Sequence, residues 1–189
     1  MGGTSSIINS NEEIPTSAVL YAKFDEVKRI TDGLNQDKMD KKNPTGTGYF
    51  SLNRKTDHTP GTNSVAVGDQ TTASGDNSFA EGRLTIASGY SSHAECRDTT
   101  ASGSQSHAEG WKTTASGDQS HAEGYSTTAS EHSSHAEGYY TTASGARSHA
   151  EGNQTTASGY SSHAEGNSTI ASGHQSHAEG YWTKATHKA

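Results

Sequence analysis

Ser106-His107-Ala108-Glu109-Gly110, then Trp111-Lys112, then Thr113-Thr114-Ala115-Ser116-Gly117, is one printing of a pattern that fills two thirds of this chain. His93, His107, His121, His135, His149, His163 and His177 recur every 14 residues without a slip. Each has a glutamate two residues on: Glu95, Glu109, Glu123, Glu137, Glu151, Glu165 and Glu179. The two halves of the unit are alike, so the deeper period is seven. A short fixed period dictates a stacked repeat architecture, because each unit can bury a face only against its neighbours.

Each seven-residue half can be lettered a to g, starting at Ser64. Position a is Ser or Thr, c is Ala in every half from Ala66 to Ala185, and e is usually Gly. In a strand, a, c and e face one side while b and d face the other. Five strand residues and a two-residue turn, taken twice, predict one flattened coil with two strands. Nine coils from Ser64 to Ala189, stacked at about 4.8 Å, give a roll about 43 Å long. Only Ser, Thr, Ala and Gly fit so thin an interior, so a, c and e are expected inside. The opposite phase would bury a column of His and Glu, which is costly for ionised groups. Cys96, Glu131 and His187 replace Gly at e and mark turn variants, with Cys96 expected as a buried small residue.

The rest of the composition narrows the class. Only 28% of the 189 residues are hydrophobic and the mean hydropathy is −0.90, which by composition alone reads as disorder. The strict phase of the repeats overrides that reading. A formal charge of −7 with scattered basic residues argues against a nucleic-acid partner. No run reaches the ~18 apolar residues of a membrane helix, so no membrane insertion is expected. Met1-Gly2-Gly3-Thr4-Ser5 opens no signal peptide. Cys96 is the single cysteine, so no intrachain disulfide forms.

Before the repeats lie three segments. Residues 1–16 are a polar N-terminal segment. Over 17–42, Leu20, Phe24, Val27, Ile30 and Leu34 recur at helical spacing and predict a short helical, coiled-coil stalk. Residues 43–63 form a joint and cap, in which Asn43-Pro44 breaks the helix and Tyr49-Phe50-Ser51-Leu52 shields the open end of the roll. The β-roll of nine repeats then spans 64–189. So alanine-rich a core buries little apolar surface per chain, and association is expected to supply the rest.

Asn63-Ser64-Val65-Ala66-Val67-Gly68, followed by Thr71-Thr72-Ala73-Ser74-Gly75, resembles the head repeats of YadA-type trimeric autotransporter adhesins, over residues 63–189. The resemblance implies a mainly β protein: a left-handed parallel β-roll of 14-residue coils, homotrimeric, with the short helical stalk before it. That hand opposes the usual crossover rule. It also implies that Val65 and Val67 face a three-fold axis. Carried over by register, Phe79 and the His/Glu column would line that axis too, where the family pattern is apolar. The layout of helix, joint and repeats looks, more loosely, like the tail fibres of bacteriophages infecting Gram-positive bacteria.

Three patterns carry candidate chemistry. The His-x-Glu column can fix chain register and make a trimer sensitive to pH, since a neutral His donates to Glu and a protonated one neutralises it. His and Glu are also metal ligands, but a regular ladder arises without any metal, so neither metal nor cofactor is assigned. The column has no distinct nucleophile or orienting third group, so no enzyme is expected. Thr100/Ser102, Thr114/Ser116 and Thr128/Ser130 place hydroxyls on the other sheet, a pattern shared by ice-binding surfaces and by plain solvated strands. Trp111, Tyr125 and Tyr139 share position f in successive coils and predict an aromatic row for glycan contact. The resulting expectation is a fibre or adhesin head: a phage tail-fibre or surface-attachment component on a virion or cell surface. The alternatives are a cellular adhesin head and a structural spacer, with an ice-binding roll more remote. The partners are further copies of the chain and a cell-surface glycan or host receptor.

Overall fold

The computed structural model describes residues 50–52 and 58–186. The polar segment, the stalk, most of the joint and His187 lie outside them. The described residues form a parallel β-solenoid with two sheets. A ten-stranded sheet runs from Phe50–Leu52 through Val65–Asp69 and Phe79–Arg83 to His177–Tyr181. A nine-stranded sheet runs from Thr72–Ala73 to Lys184–Ala185. Every pairing is parallel and joins residues 14 apart within the repeats, as in His107↔His121 and Thr114↔Thr128. Phe50–Leu52 pairs with Val65–Val67, so the backbone of this segment covers the edge of the first coil.

The interior follows the size argument. The alanines at c from Ala80 to Ala171 have no exposure, and the Ser or Thr at a are buried with them. The two halves of a coil differ, however. The His-Ala-Glu-Gly half gives a five-residue strand over b to f, such as His107–Trp111. The Thr-Thr-Ala-Ser-Gly half gives only two strand residues, such as Thr114–Ala115. Hydrogen bonding explains the short one. The amides of Ser102 and Gly103 both donate to the Ala115 carbonyl, at 2.9 and 3.4 Å, which ends the ladder. The Gly103 carbonyl then accepts the Ser106 amide at 3.3 Å and the Ser106 hydroxyl at 2.7 Å, closing a tight turn.

The glycines at e therefore have two separate roles, and only one matches the expectation that e faces inward. Gly103 is buried because coils nearly touch there: an added Cβ would lie 2.0 Å from the Gly117 carbonyl oxygen. Gly110 meets the Gly124 carbonyl oxygen nearly as closely, at 2.2 Å from an added Cβ, but it also adopts φ +102°, a conformation that L side chains rarely adopt, and its counterparts Gly82 and Gly124 are exposed. Cys96 occupies that second kind of position. It is exposed, not buried, at φ 74°, because e in this half has left the strand's inward alternation. Its strand shortens to His93–Ala94. At Glu131, a variant of the first kind, the amide turns to the Ser134 hydroxyl at 3.2 Å.

Every g position from Asn63 to Trp182 has φ between 52° and 59°. This left-handed residue reverses the chain at each corner. Its amide bonds to the preceding coil, as from Gln105 to the Tyr90 carbonyl at 2.7 Å. Its side chain pairs along the corner, as in Gln119 to Gln105 and Asn63 to Asn77, each 3.2 Å.

Candidate functional site

The outward face of the ten-stranded sheet carries b and d side chains in register, coil after coil. Val65 pairs with Phe79, and Phe79 with His93, so one column changes from aliphatic to aromatic to imidazole. Phe79 meets His93 edge to face at 5.1 Å. From His93 to His177 the rings then stack at 4.7 to 4.8 Å, with interplanar angles of 1° to 17°. That spacing is the inter-strand distance itself. A parallel in-register ladder forces identical side chains together, whatever their chemistry.

The glutamates run beside the rings, starting from Glu81 opposite Val67. His107 Nε2 is 3.6 Å from Glu95, and His121 Nε2 is 3.4 Å from Glu109 and 3.8 Å from Glu123. The same contact recurs at His135, His149 and His163. These separations suit ion pairs but exceed the 2.7–3.2 Å of an N–H···O hydrogen bond. The Nε2 atoms of His93, His107, His121, His135, His149 and His163 are shielded from solvent and have no hydrogen-bond partner. Burial, followed by the charge of an adjacent histidine, pushes His93, His107 and His135 below the usual imidazole value of 6.5. Burial raises the Glu95 carboxyl, but a hydrogen bond with Glu109 and the neighbouring His93 outweigh it and hold Glu95 below 4.5. At His93, His107 and His135 the surroundings thus favour the neutral ring, and at Glu95 the carboxylate.

The structure brings Val65, Val67, Phe79 and the seven His/Glu pairs onto one half-buried face, whose last pair, His177 and Glu179, is exposed. The strands of the hydroxyl face are shorter than the sequence pattern implies. Thr114 lies in its strand and Ser116 one residue past its end, where its amide still donates to the Ala129 carbonyl at 2.9 Å. The f aromatics do form a row. Trp111 meets Tyr125 edge to face and Tyr125 stacks on Tyr139, both at 5.0 Å, with Tyr140 packed against the latter two. Arg97 lies 5.0 Å over the Trp111 ring, whose Nε1 donates to Asp98 at 3.2 Å. Faces that stack on each other leave mainly ring edges and the end of the row for a ligand.

Two features escape the residue pattern. The left-handed corner is filled by Gln, Ser, Lys, Tyr, Arg and Trp as well as Asn, so no glycine or asparagine signal announces it. Arg97 looks like a stray charge in sequence, yet it caps the aromatic row.

No curated protein matches the chain. Residues 60–85, 136–162 and 164–181 match the family described as the YadA head domain repeat. With the parallel solenoid of 14-residue coils that contains these segments, the match supports a YadA-type head repeat.

Proposed function

We propose that the chain is a homotrimeric, non-enzymatic attachment fibre or adhesin head, in the manner of a phage tail-fibre or related surface component. The head-repeat match supports the adhesin class. The observation that carries the assembly is the half-buried outward face with Val65, Val67, Phe79 and the His/Glu ladder. One chain's interior holds only Ala, Ser, Thr and Gly among the described repeats, so little apolar surface is buried within it. Three such faces meeting on an axis would bury Val65, Val67 and Phe79 at one end. They would also bring each Glu within reach of a second chain's imidazole. The aromatic row from Trp111 to Tyr139 would then lie on an outer edge, where ring edges and the Arg97 guanidinium suit a saccharide. Light scattering on the purified full chain should give three times the 19.8 kDa chain mass. A monomer across micromolar concentrations would remove the three-fold reading.

A further inference from the structure

The ladder poses a charge problem that its own geometry resolves. Eight carboxylates, Glu81 through Glu179, stand in one line, spaced by one coil. The rings beside them are stacked face to face, and protonating adjacent rings would set like charges 4.8 Å apart. The shielded Nε2 atoms make no hydrogen bond. Those of His107, His121, His135, His149 and His163 instead sit 3.4 to 3.8 Å from carboxylate oxygens. Two donors each 2.0–2.1 Å from a tetrahedral ion are about 3.4 Å apart. Within three His-Glu-His clusters, one nitrogen–oxygen pair is therefore spaced as two ligands of a small ion: His121 with Glu109, His135 with Glu137, and His163 with Glu165.

We infer that the His/Glu ladder binds a row of divalent transition-metal ions of the zinc type, each held by ring nitrogens and carboxylates of two adjacent coils. In His107, Glu109 and His121 one ligand atom from each residue lies within 4.8 Å of the others. The same set recurs at His135, at His149 and at His163, and Glu81, His93 and Glu95 make a further set at the N-terminal end. Two imidazoles and one carboxylate is a zinc donor set that leaves a position open. The wider Nε2-to-Nε2 gap must close by tilting rings that otherwise lie within 2° to 6° of parallel at His107/His121, His135/His149 and His163/His177. Repulsion between ions restricts filling to alternate coils, about 9.6 Å apart at the ~4.8 Å strand spacing. Four ions per chain result, and four divalent ions carry the charge of eight carboxylates. The inference needs only one chain's ladder and does not rest on the three-fold reading.

The test uses the full chain stripped with a chelator, then dialysed against Zn²⁺ or Co²⁺ alone, with bound metal measured per chain. Saturable uptake approaching four ions is expected, together with visible Co²⁺ bands of a nitrogen and oxygen site and no thiolate charge-transfer band from Cys96. Glu109→Gln and His121→Gln should each lower uptake by about one ion, whereas Cys96→Ser and His174→Gln should not change it. Thermal midpoints taken in chelator establish that each variant is folded, and the isosteric Glu109→Gln is the safer of the two. Absence of saturable uptake, or uptake unchanged in both ladder variants, overturns the proposal. Molar mass measured with and without metal separates the two readings. Uptake by a monomer would remove only the trimer, and a trimer without uptake would remove only the metal row.

Discussion

Gly103→Ala probes the closest approach between coils. The new Cβ would sit 2.0 Å from the Gly117 carbonyl oxygen and 2.4 Å from its carbon. Ordinary contact begins near 3.4 Å, so that carbonyl must move by more than an ångström. It is not free to do so, because it accepts the Ser120 amide at 3.2 Å and the buried Ser120 hydroxyl at 2.6 Å. Losing these costs about 1–3 kcal/mol for the stranded hydroxyl, or a similar ~1–3 kcal/mol if the coil strains instead. Alanine's lower entropy in the unfolded chain returns about 0.4–1 kcal/mol. The net is about 1–2 kcal/mol, or a midpoint lowered by roughly 2–8 °C for a chain of this size. Thermal unfolding followed by circular dichroism at fixed protein concentration reads it directly. Ser102→Ala, at an exposed neighbour, should stay within about 1 °C. Equal midpoints for Gly103→Ala and the unsubstituted chain would refute the close approach of the coils. Glu131 shows one form of relief, since at this position its amide bonds the Ser134 hydroxyl at 3.2 Å.

Other outcomes follow from the corners and the two outward columns. Ser161 sits at φ 54°, so Ser161→Asn should raise stability by about 0.5 kcal/mol, because asparagine tolerates this region better; an unchanged or lower midpoint would count against strain at the corners. In chelator, stability should fall as pH drops below 6.5. The imidazoles of His93, His107 and His135 are held below that value when folded, so the unfolded chain takes up protons first. Glu95, held below 4.5, extends the loss to lower pH as its carboxylate is protonated. A midpoint flat from pH 8 to 4 would contradict both. Trp111→Ala combined with Tyr125→Ala should abolish binding on a glycan array while leaving the molar mass unchanged, and undiminished binding would exclude the aromatic row as the contact.

Much of the candidate site was legible because in-register parallel stacking is implied by a fixed period. Once His107 and His121 are 14 residues apart, a coil of that length sets their rings one strand spacing apart. The inward face was legible at a and c for the same reason, since only Ser, Thr and Ala of these columns fit between two sheets so close together. Position e was not legible. Gly103 and Gly110 are the same letter in the same place, and a neighbouring backbone approaches both, yet one is buried and the other is half-buried at φ +102°. Cys96 was misplaced by that ambiguity.

The sequence by itself determined the period, the coil length, the parallel register and the identity of each column, because these depend only on spacing and on which side chains are small. The tertiary structure decided where each strand ends and which corners turn left-handed. It also decided how far each imidazole lies from its carboxylate. Those properties come from hydrogen bonds and contacts between coils, such as the Ala115 carbonyl taking two amides, and no pattern within seven residues encodes them.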